Sequence, residues 1–330
     1  MSLPASIASR LRLPLIAAPM LRVSGPDLVS AACRSGVIGS FPTINARSAQ
    51  ELDAWLTRIA ADIARSAAPA APVCPNIIMR RAPEALAQDV EILVRHRVEI
   101  VIASVGSPEA VIAPLHDVGC LVLADVASMR HVEKALAVGA DGLVLLTAGA
   151  GGQTGWANPL AFVRAVREMF DGPIVLAGGL SDGAALWAAR VLGCDLGMMG
   201  TRFIATPESM AAQAYRQMLV DSSLDDVMLT QAFTGLDTNM LRPSVVAAGL
   251  DPKALAGPVT PERARELWSE KTNATADGPR RWVDIWSAGH SVSGVDAIRP
   301  VSELVDELAA QYAGAQRETA ALLCAAGIPR

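Results

Sequence analysis

The 330-residue sequence is most informative in what it has little of. Aromatic residues make up 4% of the chain and charged residues 18%, and there are only four histidines. The net charge is −5, and the sequence contains no block of Lys or Arg residues. It therefore predicts no basic surface of the kind that nucleic-acid binding requires. The apolar stretch near the N-terminus is too short to span a bilayer or to serve as a signal-peptide core. With 52% hydrophobic residues, the composition predicts a cytoplasmic protein with a large core that binds neither nucleic acid nor membrane.

Several catalytic signatures are also missing. The five cysteines are dispersed, contain no CxxC pair and lie mostly in apolar surroundings, which favours reduced, buried thiols over a disulfide framework or a zinc site. The sequence has no GxSxG elbow, no Walker loop and no paired Cys/His metal spacing. We therefore predict no metal site and no active site built on any of these motifs.

Short apolar runs recur along the first two thirds of the chain. They lie at 13–20, 36–42, 72–79, 99–106, 120–126, 142–149, 173–180 and 196–203. Each is almost unbroken apolar sequence rather than alternating, which is typical of a parallel strand that is buried on both faces. The stretches between them, such as "NPLAFVRAVREMF", have helical spacing with charges on one face.

Eight strand-helix units in series predict a (β/α)₈ TIM barrel, with a doubly wound open sheet as the alternative. The barrel is expected to comprise residues 1–203 and 286–330. Residues 204–285 form an inserted, mainly helical segment that is expected to act as a lid or wall of the substrate pocket.

In such a barrel, ligands bind at the C-terminal ends of the strands, and these ends are marked here by polar or small residues. They are Ala18, Pro19, Met20, Asn76, Ser104, Asp125, the loop from Gly149 through Ala150, Gly151 and Gly152 to Gln153, and Gly178, Gly179, Gly200 and Thr201. The loops after strands seven and eight of such barrels commonly bind a phosphate through free backbone N–H groups. Gly178, Gly179, Gly200 and Thr201 are thus predicted to hold a phosphate, although tight βα turns would also explain the glycines.

The order of several motifs resembles the nitronate monooxygenase family, also known as the 2-nitropropane dioxygenases. The motifs are "LPLIAAPM", "TAGAGGQTG", "VLAGGLSDG", "MGTRF" and "FTGLDTNMLRPS". The resemblance implies an FMN-dependent barrel enzyme, related to NAD(P)H-dependent enoyl and quinone reductases. It also implies that the FMN phosphate lies at the Gly178–Gly179 and Gly200–Thr201 pairs. The flavin ring is then expected near Met20, Asn76 and the 149–153 loop.

One residue departs from the family pattern. Well-studied members carry a histidine at the end of a GGH-type motif, whereas "GGQTG" places Gln153 there. An amide cannot accept a proton near neutral pH, so deprotonation of a neutral nitroalkane lacks its expected base. Oxidation of an already deprotonated nitronate needs only a donor that orients the substrate oxygens, and Gln153 is a candidate for that role.

The histidines are the next candidates for a base, because histidine titrates near neutral pH. His96 and His116 fall at the helical ends of their units and His131 begins a helix, so all three are expected on the surface. His290 lies in "WSAGHSVSG", where the family usually has a turn near the flavin, and it is the second catalytic candidate beside Gln153.

Three functions stay open at this stage. The first is an FMN-dependent oxidase that uses molecular oxygen on alkyl nitronates, as the resemblance implies. The second is a reductase that passes hydride from NADH or NADPH to a quinone or an enoyl-type acceptor. The third is an FMN-binding protein without turnover. The sequence leaves the physiological substrate and the oligomeric state open, with a homodimer as one option.

Overall fold

A computed structural model of the chain describes residues 3–66, 68–255, 257–260, 262 and 282–326. Eleven strands lie within these residues: β1 Leu15–Ala17, β2 Ile38–Pro42, β3 Val73–Ile78, β4 Ile100–Ser104, β5 Leu121–Val126, β6 Gly142–Leu146, β7 Gly152–Gln153, β8 Ile174–Ala177, β9 Leu196–Met199, β10 Val227–Thr230 and β11 Thr238–Leu241. Eight of them close a parallel barrel in the order β1-β2-β3-β4-β5-β6-β8-β9. The barrel prediction is confirmed and the open-sheet alternative is wrong.

Helices follow the barrel strands in the order expected of a (β/α)₈ fold. They are α1 Ala5–Ala8, α2 Pro26–Arg34, α3 Ala49–Ala64, α4 Pro83–Arg95, α5 Glu109–His116, α6 Met129–Ala137, α7 Pro159–Arg167, α8 Gly183–Leu192, α9 Thr201–Ile204, α10 Gln213–Val220, α11 Arg242–Ala247 and α12 Val301–Ala325. Local sequence explains several starts, because Ser48, Ser128 and Asp182 each accept a hydrogen bond from a backbone N–H of the first turn. Among the described helices, none is long and apolar enough to cross a membrane.

The barrel interior is filled by apolar, mainly aliphatic, side chains from all eight barrel strands. Ile16, Ile38, Ile100 and Val175 are buried completely in this layer. Leu3 and Ile7 pack against the same layer, so the short N-terminal helix α1 closes the end of the barrel at which the strands begin. The other end is left open for a ligand, as is usual in this fold.

The inserted segment contains strands as well as helices. Besides α10 and α11, it holds β10 and β11, which form an antiparallel hairpin that also pairs with β7. The hairpin was not expected, because its pairing with β7 joins residues far apart in the sequence. Most of the charged stretch 261–281 lies outside the described residues.

Candidate active site

A cavity of about 290 Å³ opens at the C-terminal ends of the barrel strands. Every residue predicted to bind the cofactor lines it: Ala18, Pro19, Met20, Asn76, Ser104, Asp125, Ala150, Gly151, Gly152, Gln153, Gly178, Gly179, Gly200 and Thr201. The fold therefore brings together residues spread over almost two hundred positions of sequence. Their roles in binding stay predictions.

The loop after β8 offers free backbone donors. Gly178 and Gly179 adopt φ angles of +129° and +75°, a region that glycine enters without strain. A Cβ on Gly178 would lie 2.5 Å from the Thr147 hydroxyl oxygen, whereas a Cβ on Gly179 would meet nothing within 4 Å. Within the described part of the chain, the N–H groups of both glycines donate to no protein acceptor. Such groups suit an anionic ligand, because unpaired N–H groups that line a cavity need an acceptor.

The loop after β9 forms the adjacent edge of the cavity. Thr201 is 3% exposed, and its Oγ1 accepts a hydrogen bond from the Gly289 N–H at 3.0 Å. The hydroxyl thereby anchors the chain segment that crosses the mouth and keeps its own proton available for a ligand. Gly200 lies beside Met20, whose sulfur is 3.5 Å from the place a Cβ would occupy. This edge combines a hydroxyl with an apolar wall.

Asn76 and Ser104 form a polar pair on the floor of the cavity. The Asn76 Nδ2 donates to the Ile102 carbonyl at 3.1 Å and to the Ser104 Oγ at 2.9 Å. Because a carbonyl can only accept, the contact with Ile102 fixes the amide orientation and leaves Oδ1 to accept from a ligand. Asn76 thus presents an acceptor, and Ser104 retains its hydroxyl proton.

Asp125 is the acidic residue of the floor. Its Oδ1 is withdrawn from solvent and has no hydrogen-bond partner among the described residues. Burial raises the pKa of this carboxyl from 3.8 to about 7, because the charged form loses hydration that no neighbouring group replaces. A carboxyl in this state exchanges a proton readily near neutral pH.

Gln153 faces the cavity from a short strand. Its backbone belongs to β7, where it pairs with Thr238 of β11, so the inserted segment fixes its position. The side chain is half-buried, and its amide makes no hydrogen bond to the rest of the described chain. The amide of Gln153 is therefore available to a ligand in the cavity.

The glycines before Gln153 are needed for contact with another part of the backbone. A Cβ on Gly151 would lie 2.7 Å from the Gly289 nitrogen, and a Cβ on Gly289 would lie 2.6 Å from the Gly149 carbonyl oxygen. The His290 N–H donates to that same carbonyl at 2.9 Å. The absence of side chains at these glycines thus lets the 149–152 loop pack against residues 288–290.

His290 does not join the cavity lining. It is exposed, and its ring packs beside Gly149 in a second depression, which is also lined by Trp156 and by the cavity residues Gly178 and Gly179. The predicted catalytic pair of Gln153 and His290 is thus not brought together. His116 and His131 are both exposed, as expected from the sequence. The Nε2 of His116 lies 2.8 Å from the Oδ2 of Asp141, with which it forms a hydrogen bond.

The sequence reasoning missed the part of the lining contributed by distant segments. These residues are Tyr215, Thr234, Ser287, Ala288 and Ser291. Tyr215 is buried, stacks on Trp286 at 5.0 Å between ring centroids and donates its hydroxyl to the Ser287 carbonyl. Burial raises the pKa of Tyr215 to about 12, so its hydroxyl stays protonated. Tyr215 lies in the amphipathic helix α10, and no motif in the surrounding sequence indicates that it lines a ligand site.

Strain marks one further lining residue. Val105 follows Ser104 with a φ of +56°, which a β-branched residue adopts only under constraint. It lines the cavity next to Gly106, whose φ is +153°. Strained backbone of this kind tends to lie at binding sites, because the surrounding fold holds it there for function.

Comparison with known proteins agrees with this geometry. The family model for nitronate monooxygenase matches residues 5–311. A dehydrogenase of Mycobacterium tuberculosis named for a hydroxy-methyl-oxo-octahydroindene-carboxyl-CoA substrate is 29% identical over 71% of this chain and 64% of its own length. A nitronate monooxygenase of Paraburkholderia phytofirmans is 28% identical over 73% of this chain and 76% of its own length. The match to the dehydrogenase thus spans less than two thirds of that relative.

Solved structures share the fold. FabK from Thermotoga maritima superimposes with a TM-score of 0.78 at 23% identity, covering 98% of this chain and 99% of that protein. Nitroalkane oxidase from Streptomyces ansochromogenes gives 0.77 at 23% identity, covering 96% and 100%. At this identity the likeness establishes the barrel, and the family model establishes kinship. The chain belongs to the nitronate monooxygenase family and is therefore an enzyme, an oxidoreductase of this flavin-dependent family.

Proposed function

We propose that the protein binds FMN in the cavity and oxidises alkyl nitronates with molecular oxygen. The observation that carries the proposal is the set of free N–H groups at Gly178 and Gly179, which lie at the barrel end where phosphate is bound in this fold. Gly200 and Thr201 complete that edge. Bound FMN would supply the two-electron acceptor for the substrate.

The rest of the cavity fits the ring of a flavin. The Asn76 Oδ1 is free to accept from the amide-and-carbonyl edge, while Val144 and Leu146 give the floor apolar surface. Tyr215 and Trp282, from the 204–285 segment, form a wall over the same space. This supports the prediction that part of the segment covers the substrate pocket.

For a nitronate, the donors available are neutral. Gln153 offers an amide NH₂ that is not otherwise engaged, and it would orient the nitronate oxygens without taking a proton. Substrate and flavin phosphate would then both be held by hydrogen bonds rather than by ion pairs. The protein would then contribute mainly by positioning the substrate and by excluding water from the cavity.

A second function is favoured by the charge of the lining. Among the described lining residues there is no Lys, Arg or His, so an anionic substrate meets no cation there. A neutral reacting group, such as a quinone carbonyl or the acyl end of a thioester, suits such a cavity, and one relative is named as a dehydrogenase of a CoA thioester. The second candidate is therefore an NAD(P)H-dependent reductase, or a dehydrogenase, acting on a quinone or an enoyl-type thioester.

Anaerobic mixing separates these functions. The FMN-loaded protein is mixed in turn with propionate 3-nitronate, NADH and NADPH while the flavin absorbance is followed. Bleaching by the nitronate and recovery on admitting oxygen is the expected result. Bleaching by a nicotinamide nucleotide alone would favour the reductase, and bleaching by none of the three would leave FMN binding without this turnover.

A further inference from the structure

The carboxyl of Asp125, a half-buried residue on the floor of the cavity, has an oxygen that no group of the described chain bonds. Buried polar atoms in folded proteins are nearly always hydrogen-bonded, because an unpaired one loses its hydration without compensation. The Asp125 Oδ1 is withdrawn from solvent and unpaired among the described residues, and Asp125 lines the cavity. An unsatisfied acceptor at such a place needs either a proton of its own or a ligand that supplies one.

The surroundings of Asp125 are uncharged. On β4, Ala103 pairs with Ala124, which places Ser104 beside Asp125, and on β6 the register partner is Val144. Tyr215 is the other titratable residue in the described lining, and its hydroxyl is protonated. No charged neighbour in the described chain lowers the pKa of Asp125, which burial raises to about 7. Asp125 therefore changes its charge near neutral pH within a neutral cavity.

The other candidates for a base do not qualify. Gln153 lines the cavity but its amide cannot accept a proton near neutral pH. His290 does not line the cavity and lies in the neighbouring depression instead. Within the described lining, Asp125 is left as the proton acceptor with a suitable pKa, since a general base works best when its pKa is close to the operating pH.

We propose that Asp125 is the general base of this cavity, which takes the α-proton from a neutral carbon acid such as a nitroalkane before oxidation. The proposal rests on the function proposed above, because it places the substrate in the same cavity. In this step the carbon–hydrogen bond breaks and its electron pair moves onto the nitro group. The proton passes to a carboxylate oxygen of Asp125, so that the nitroalkane becomes its nitronate and the carboxylate becomes a carboxylic acid.

The step extends the substrate class. An enzyme that only oxidises nitronates depends on their formation in solution, whereas one with a base also accepts the neutral nitroalkane. The carboxyl of Asp125, a residue of β5, would thus take over the role of the histidine that the family has at the position of Gln153. No oxidant is consumed in the step, and it can therefore be measured separately from the redox reaction.

Proton exchange tests the proposal directly. FMN-loaded protein is held reduced under anaerobic conditions, so that oxidation cannot occur, and loss of the α-proton of nitroethane in D₂O is followed by NMR. The wild-type protein should accelerate exchange, with a rate that rises as the pH passes through about 7. Asp125→Asn should slow the exchange at least about 100-fold, whereas Asp117→Asn, an exposed residue just after α5, should leave it unchanged.

Two further measurements separate a base from a flavin contact. In the Asp125→Asn protein the exchange rate should fall far more than the rate of oxidation of preformed propionate 3-nitronate, because a nitronate has already lost its α-proton, and the Kd for FMN of the same variant is measured alongside. Asp125→Ala should regain exchange when formate is added, because a small carboxylate can enter the vacated space. Such rescue also shows that the variant is folded.

The outcomes are distinct for the two proposals. Absence of exchange with the wild-type protein, or exchange that survives in Asp125→Asn, overturns the role of Asp125 as a base. Loss of FMN binding in Asp125→Asn also overturns it, in favour of a cofactor contact. Exchange by a wild-type protein that does not oxidise the nitronate would leave Asp125 as the base and would refute the proposed function alone.

Discussion

The two ends of the barrel use aspartate in opposite ways. At the end where the strands begin, Asp195 accepts from the Ile174 N–H at 2.9 Å and from the Arg167 guanidinium at 2.5 Å. Asp141 is engaged at the same end with a backbone N–H and a histidine. At the other end, the carboxyl of Asp125 has an oxygen that is buried and unpaired within the described chain.

The difference separates stability from function. In this fold, the N-terminal end of the barrel serves stability and the C-terminal end carries the active site. A carboxylate that bonds a strand N–H and an arginine fixes both elements, whereas one without partners costs stability and stays available to a ligand. Substitutions at the two ends should therefore have opposite effects on stability.

The largest effect is expected at the stabilising end. Asp195→Ala leaves the Arg167 guanidinium, which is 16% exposed, without its carboxylate, and leaves the Ile174 N–H unpaired. Loss of one partner of such a pair should lower the free energy of unfolding by about 3 kcal/mol. Urea unfolding measures the change, with Asp117→Ala as the exposed control. Equal stability of the two variants would refute the assignment of Asp195 to holding the fold.

The opposite sign is expected for Asp125→Asn in the FMN-free protein. The folded pKa of about 7 lies above the ordinary value of 3.8, so the native state binds more protons than the unfolded state between these values. Stability contributed by this group is therefore complete below about pH 4 and is lost as the pH rises through about 7. The variant should exceed the wild type by on the order of 3 kcal/mol near pH 8 and match it near pH 4.

Urea unfolding at the two pH values checks this difference. A variant that is less stable than the wild type at both would show that the Asp125 carboxyl has a stabilising partner. The comparison of the two ends would then fail.

Two glycines with nearly the same φ angle provide the next comparison. Gly179, after β8, has a φ of +75°, and Gly119, before β5, has a φ of +76°; neither would meet a neighbour within 4 Å if it carried a Cβ. Alanine should cost each site about 1–2 kcal/mol of strain. Only Gly179→Ala should weaken FMN binding, by roughly tenfold or about 1.4 kcal/mol, because its methyl projects into the proposed phosphate site. Equal Kd values for FMN in the two variants would place the phosphate elsewhere.

The smallest effect is expected at Gln153. Gln153→Ala removes an amide that lines the cavity and is not used elsewhere, so flavin reduction by substrate should slow by roughly fivefold, the equivalent of one hydrogen bond of about 1 kcal/mol. Gln217→Ala, an exposed change on α10, serves as the control in stopped-flow experiments. An unchanged reduction rate in Gln153→Ala would remove the substrate-orienting role.

The sequence was sufficient to predict the barrel and the position of its mouth. All eight barrel strands lie within the apolar runs, because strands buried on both faces cannot alternate with polar residues. Asn76, Ser104 and Asp125 could be placed in one cavity because each lies in the second half of such a run, and parallel strands end on the same side.

Contacts between distant segments could not be predicted in the same way. The β10–β11 hairpin pairs with β7, and Tyr215 reaches the cavity from α10, through packing that leaves no periodic signal in the sequence. The sequence position of His290 predicts its loop but not which of two neighbouring depressions its ring lines, and its catalytic role stays a prediction. Gly289 was missed as the partner of Gly151 for the same reason.

The central claim is that the barrel mouth binds FMN, and titration of FMN into the purified FMN-free protein tests it most directly. Flavin fluorescence should change saturably with one FMN per chain, and Gly179→Ala should weaken the binding while Gly119→Ala does not. Fluorescence that shows no saturable binding to the folded wild-type protein would contradict the account.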